Sequence, residues 1–129
     1  MTSSSDIDLA NTRGLLLQQP HVTAAELTVD IEKATSANLA RLRQGRNIVG
    51  LRFARRGYVY PEFQFDRARQ RVHPVAARLN RTLLRHLTVE TVIAWWLTPN
   101  PRLGEAPWRS LDQEDVLLEA ADAAVVDPA

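Results

Sequence analysis

The chain has 129 residues, 45% of them apolar, a net charge of +1 and no cysteine. That length suits one ordinary domain or two small modules on a shared core. The composition excludes a disulfide framework, a cysteine-ligated zinc site and a thiol nucleophile. MTSSSDIDLANTRG has no secretory pattern, and no apolar run reaches the roughly 20 residues of a membrane span, so the expectation is a soluble cytoplasmic protein.

The small net charge hides a segregation. Residues 41–86 hold twelve arginines against Glu62 and Asp66, residues 1–40 hold Arg13 and Lys33 against five acids, and residues 87–129 hold Arg102 and Arg109 against eight acids. A basic block of this density fits a polyanion partner such as DNA. The plainer reading is a solvated surface, or pairing with the acidic ends.

Taken in chain order, residues 1–8 are polar and read as a flexible, frayed N-terminus. LANTRGLLLQQ (9–19) reads as a short helix ended by Pro20. TAAELTVDIEK (23–33) opens with Thr23 and Glu26 at capping-box spacing. After a turn at ATS, Ser36 caps a third helix, ANLARLRQ, that stops at Gly45. A tight connection between the second and third helices is what a helix-turn-helix requires.

From residue 47 the period changes to two. NIVGLRF places Val49, Leu51 and Phe53 on one face, and YVYPEFQF places Val59, Pro61, Phe63 and Phe65 on one face. ARRG between them is a turn with glycine at positive φ, so the pair reads as a β-hairpin. Pro61 lacks an amide proton, which assigns its strand to an edge.

From residue 74 the helical period returns. HPVAARLNRTLLRHL sets Val75, Ala76, Leu79, Leu83, Leu84 and Leu87 against a stripe of Arg78, Arg81 and Arg85, which reads as a wet face or as a surface for the acidic third of a second subunit. TVETVIAWWL is capped by Thr88, with Val89, Val92, Ile93 and Trp96 on its core stripe and Trp95 off it; Pro99 and Pro101 end it. A final helix covers DQEDVLLEAADAAVV. The expected fold is mainly α with one β-hairpin: a winged helix-turn-helix-like head (9–66) followed by a small helical domain (67–129).

Signatures of catalysis are missing from the sequence. His21, His73 and His86 are scattered, no glycine-rich phosphate loop occurs, and neither G-x-S-x-G nor H-E-x-x-H is present, so no catalytic residue, metal or cofactor is expected. The third helix offers Ser36, Asn38, Arg41 and Arg43 to bases or phosphates, and the hairpin offers Arg52, Arg55 and Arg56 as a wing. The remaining cluster is WWLTPNPRLGEAPWRSL (95–111), which holds all three tryptophans. Trp96 belongs to the core stripe. Trp95 and Trp108 fit equally an interface anchor or a loop folded onto its own domain, and Asn100 is placed to tie the loop through its side chain.

Trp96-Leu97-Thr98-Pro99-Asn100, with Leu103, Gly104, Pro107 and Leu111, resembles the toxin-binding domain of the Xre/MbcA/ParS antitoxins over about residues 74–126. YVYPEFQFD (58–66) resembles the P-x-F-Q-F-D strand of actinobacterial relatives that join a DNA-binding head to that domain. The chain departs from the pattern at Arg109 and Ser110, where an acid and a leucine are common, and at Trp108. The resemblance implies an antitoxin that occludes a toxin, often a RES-domain enzyme that degrades NAD, and represses its own operon; a homodimer on operator DNA is expected because a head this small reads few base pairs and symmetric operators need two. It places Trp96, Pro99, Asn100, Leu103, Pro107 and Leu111 at the toxin contact, to which the residue reading adds Trp95 and Trp108. The alternative is a dimeric DNA-binding regulator with no toxin partner.

Overall fold

A computed structural model describes residues 4–126 of the chain. Six α-helices surround a small antiparallel sheet: α1 (Ser4–Gln18), α2 (Ala24–Asp30), α3 (Ser36–Gln44), α4 (Pro74–Leu83), α5 (Val89–Leu97) and α6 (Glu114–Val126). The main sheet contains β1 (His21–Thr23), β2 (Leu51–Phe53) and β3 (Gly57–Pro61) in the order β1-β3-β2, and β4 (Phe65–Asp66) pairs with β5 (Arg71–Val72) in a second ribbon. Of the expected frayed terminus 1–8, residues 1–3 lie outside the described residues and α1 begins at Ser4.

The sheet is sandwiched between two cores, and this decides which expectations hold. Leu51 and Val59 face α1, α4, α5 and α6, where Leu16, Leu79, Leu83, Ile93, Trp96 and Leu117 are buried. Val22 and Tyr60 face α2 and α3, where Leu27, Ile31 and Leu39 are buried. A half-buried strand alternates, but one covered on both sides does not. Tyr60 is therefore as fully buried as Val59. Gly50 is required by this packing, because a Cβ there would lie 2.4 Å from the Tyr60 ring.

The hairpin is thus one part of a three-stranded sheet. Pro61 does not mark an edge: β3 is the central strand, with His21 opposite Pro61 in β1 and Leu51 opposite Val59 in β2. The missing amide proton is tolerated because Pro61 is the last residue of the strand, beyond the end of β2. The expected single face from Val59 to Phe65 is also broken. A 3-10 turn at Glu62–Gln64 resets the phase, so Phe63 packs on the main core and Phe65 enters the α2–α3 core.

The first helix, assigned to the head by its position, packs against α5, because its buried Leu16 joins the main core. The caps follow local chemistry. Thr23 accepts from Glu26 N at 3.1 Å while the Glu26 carboxylate accepts from Thr23 N at 3.2 Å, closing the box. Thr35 caps α3, not Ser36: it is extended and accepts from Asn38 N, and Ser36 is already the first helical residue. Gly45 closes α3, and Gly57 takes φ of +71° at the hairpin turn, both as expected. No helix among the described residues is long and apolar enough to cross a membrane.

Candidate functional site

A buried polar relay fixes the tryptophan-bearing helix to the sheet. The Gln64 side chain lies where the ladder runs out beyond Pro61: its Oε1 accepts from Val49 N at 2.8 Å, and its Nε2 donates to Val49 O at 2.9 Å and Pro61 O at 3.1 Å. Asn80 on α4 donates from Nδ2 to Gln64 Oε1 and to Asn47 O, both at 3.0 Å, and its Oδ1 accepts from Trp96 Nε1 at 2.8 Å. Gln64, Asn80 and Trp96 are each wholly buried. Every donor of the two amides is used, the condition under which a buried polar network stabilises a fold and makes it specific. The sequence carried a signal for Asn80 that the apolar stripe left out: it sits four residues after Ala76 and three before Leu83, on the core face of α4.

Around Trp96 the aromatic rings form a ladder. Trp95 meets it edge-on at 5.0 Å, Phe63 packs on it at a tilt at 4.6 Å, and Trp108 stacks on Phe63 at 6.4 Å. Trp95 and Trp108 are half-buried against the main core, and their indole N–H groups are buried with no hydrogen-bond partner among the described residues. Trp108 also lines a cavity of about 120 Å³ with Pro20, Phe63 and Leu97, and Arg109 lies 4.5 Å from the centroid of its ring.

The loop after α5 is tied by Asn100, as its position between prolines anticipates. Its Oδ1 accepts from Arg102 N at 2.9 Å, its backbone carbonyl accepts from Leu103 N and Gly104 N, and its own N–H donates to Glu105 O at 3.0 Å. Gly104 permits the closure at φ +76°. Ser110 is buried and donates to Glu105 Oε1 at 3.0 Å, a polar tie within the loop. Of the eight corner residues singled out, Trp96 and Pro107 are buried; Trp95, Asn100, Leu103, Trp108 and Leu111 are partly accessible, and Pro99 is exposed.

The head arginines divide in two. Arg43 lies 3.7 Å from the Tyr58 ring centroid and donates to Tyr60 Oη at 2.6 Å. Burial pushes the Tyr60 phenol above its usual pKa, against the opposing pull of that hydrogen bond. Asn38 is also committed: its Nδ2 donates to Lys33 O at 2.8 Å, closing the α2–α3 turn, and its Oδ1 accepts from Arg41 at 3.3 Å. Its side chain ties the turn between the two helices.

Ser36, Arg41, Arg52, Arg55 and Arg56 are exposed. Arg52 stands directly opposite Tyr58 across the β2–β3 pair, on the sheet face where Arg43 of α3 lies, so the Arg43–Tyr58 stack joins helix and hairpin into one basic surface. Two of the three stripe arginines are engaged within the chain: Arg78 pairs with Glu114 at 2.8 Å and Arg81 donates to Asn47 Oδ1 at 2.6 Å, while Arg85 lies beyond the end of α4 and is exposed. The acidic partner of Arg78 is thus α6 of its own chain.

Among the described residues no group of three or more His, Asp or Glu side chains is placed to hold a metal. Comparison with known protein families, characterised proteins and solved structures finds no match to this chain.

Proposed function

We propose that the protein is a DNA-binding antitoxin acting by stoichiometric binding: the α2–α3–hairpin head holds operator DNA and the corner after α5 docks on a toxin. The observation that carries the DNA half is the basic surface shared by α3 and the hairpin. None of Arg41, Arg52, Arg55 and Arg56 makes an ion pair among the described residues, so their charge is available to phosphates. The order helix, strand, helix, helix, strand, strand, with β1-β3-β2 in the sheet, supports a winged helix-turn-helix-like head. A head of this size reads few base pairs, and a homodimer on a symmetric operator would double the contact.

The toxin half rests on the antitoxin-like motif and on the accessible edges of Trp95, Trp108, Leu103 and Leu111 around a loop pinned by Asn100. A RES-type, NAD-degrading toxin is the partner that the resemblance implies. Co-expression with the neighbouring gene is the test. The neighbour is expected to be toxic alone, silenced by this protein, and co-purified with it. A harmless neighbour that does not co-purify removes the toxin half.

A second reading, a dimeric DNA-binding regulator with no toxin partner, is favoured by one observation: Trp96 and Pro107 are buried and the other two indoles pack on the same core. It keeps the DNA surface and predicts a promoter-DNA shift with no toxic neighbour.

A further inference from the structure

A cleft of about 550 Å³ opens on the seam between the head and the α4–α5 turn. That volume falls in the range of small-ligand sites. Arg43 and Arg46 line it with Tyr58 and Gln44, Leu84 and Leu87 supply an apolar wall, and none of its lining residues carries a carboxylate.

Arg46 supplies a second, independent observation. Its φ is 62°, in the left-handed region that glycine enters freely and other residues enter at a cost. Helices that end this way ordinarily place glycine there. Here the glycine comes one residue earlier: Gly45 has φ −78°, and a Cβ on it would lie 2.7 Å from the Asn47 side-chain nitrogen. Gly45 therefore serves close packing, and an arginine holds the strained position at the mouth of the cleft.

Arg43 is preorganised. Its guanidinium is fixed over Tyr58 and spends one N–H on Tyr60. A guanidinium carries five N–H donors, so others remain for an acceptor, and a fixed side chain loses little freedom on binding.

We propose that this cleft binds a small organic anion, with a carboxylate or phosphate held by Arg43 and Arg46 and an apolar body against Leu84 and Leu87. The inference does not rest on the toxin half of the reading, since the cleft lies away from the corner; it shares Arg43 and Tyr58 with the proposed DNA surface but does not require DNA.

The test is a titration of the ¹⁵N-labelled full chain with 2-naphthoate, phenyl phosphate and the neutral 2-naphthamide, following the amides of Arg46, Gly50, Leu87 and Val89. Both anions are expected to shift these amides saturably, with the amide binding about tenfold more weakly. Arg46→Gly is expected to weaken anion binding by about fivefold or more while the melting temperature stays level or rises, because glycine relieves the left-handed backbone. Any of four results overturns the proposal: no saturable shift with either anion, equal binding of the amide, unchanged affinity in R46G, or a lower melting temperature in R46G that makes the side chain structural. A DNA duplex that moves these amides when the anions do not assigns the cleft to the nucleic-acid surface and also overturns it.

Discussion

Trp95 and Trp96 are adjacent in sequence and their rings touch, yet their indole N–H groups meet opposite fates. On the sheet side of α5, Trp96 Nε1 donates to Asn80 at 2.8 Å and closes a relay that reaches the backbone of Val49 through Gln64. On the corner side, the N–H groups of Trp95 and Trp108 are buried without an acceptor among the described residues. The same division runs through the arginines: Arg78 and Arg81 are engaged by Glu114 and Asn47 and Arg43 gives one N–H to Tyr60, while Arg52, Arg55 and Arg56 face solvent. A polar group with its partner inside the chain specifies the fold. A buried polar group without one costs stability, and an exposed one is satisfied by water until a partner replaces it.

The sharpest way to break this comparison is to remove the hub of the relay. Asn80→Leu strips partners from Gln64 Oε1, Asn47 O and Trp96 Nε1 at once, and should destabilise the chain by about 3 kcal/mol or more, read by urea unfolding. A loss within about 0.5 kcal/mol, the level of an ordinary surface substitution, would mean that the relay is not structural. Gly50→Ala comes next. Its new Cβ must displace the Tyr60 ring, and a loss of about 2 kcal/mol is expected from overpacking, with α3 loosened because Tyr60 anchors Arg43.

The tryptophans then separate cleanly. Trp96→Phe leaves the Asn80 carbonyl without its donor and should cost about 1–3 kcal/mol. Trp95→Phe and Trp108→Phe remove no internal hydrogen bond, keep an aromatic ring in the ladder, and should each change stability by less than about 1 kcal/mol. If the corner docks on a partner through the accessible edges of these indoles, the same two variants weaken co-purification with it while Trp96→Phe acts mainly through stability. Thr23→Ala, which opens the capping box of α2, should cost about 1 kcal/mol. Acid sharpens that last prediction. The hydrogen bonds from the Thr23 backbone and side chain hold the Glu26 carboxyl below its usual pKa. Its contribution is present above the ordinary glutamate value and lost as pH falls through the lowered one, so the gap between T23A and the unmodified chain should narrow at low pH without closing, because Thr23 Oγ1 still accepts from Glu26 N.

Much of the helical frame was legible because its signals are local. Thr23 and Glu26, Gly45, Thr88 and the Pro99–Pro101 stop each act within a few residues, and each lies where the chain expects it. What the sequence hid depends on contacts far along the chain. β1 is three residues whose partner lies almost forty positions later, so no alternation of its own could announce it. Tyr60 is buried because α2 and α3 cover the second face of the sheet, and Pro61 is central because β1 occupies the side where an edge was expected. The site residues follow the same rule. The exposed Arg52, Arg55 and Arg56 are predictable from a hairpin turn, whereas the locking of Asn38 onto Lys33 and of Arg43 onto Tyr60 requires the assembled head.

The most direct test of the account is the salt dependence of binding to DNA from upstream of the protein's own gene, measured for the unmodified chain and for Arg55→Ala with Arg56→Ala. The double substitution should leave stability within about 0.5 kcal/mol, since both side chains are exposed. It should weaken binding to all sequences and reduce the slope of log affinity against log salt by about 2, one unit for each phosphate contact removed. An unchanged slope, or binding by the unmodified chain that does not respond to salt, would contradict the assignment of this arginine surface to DNA.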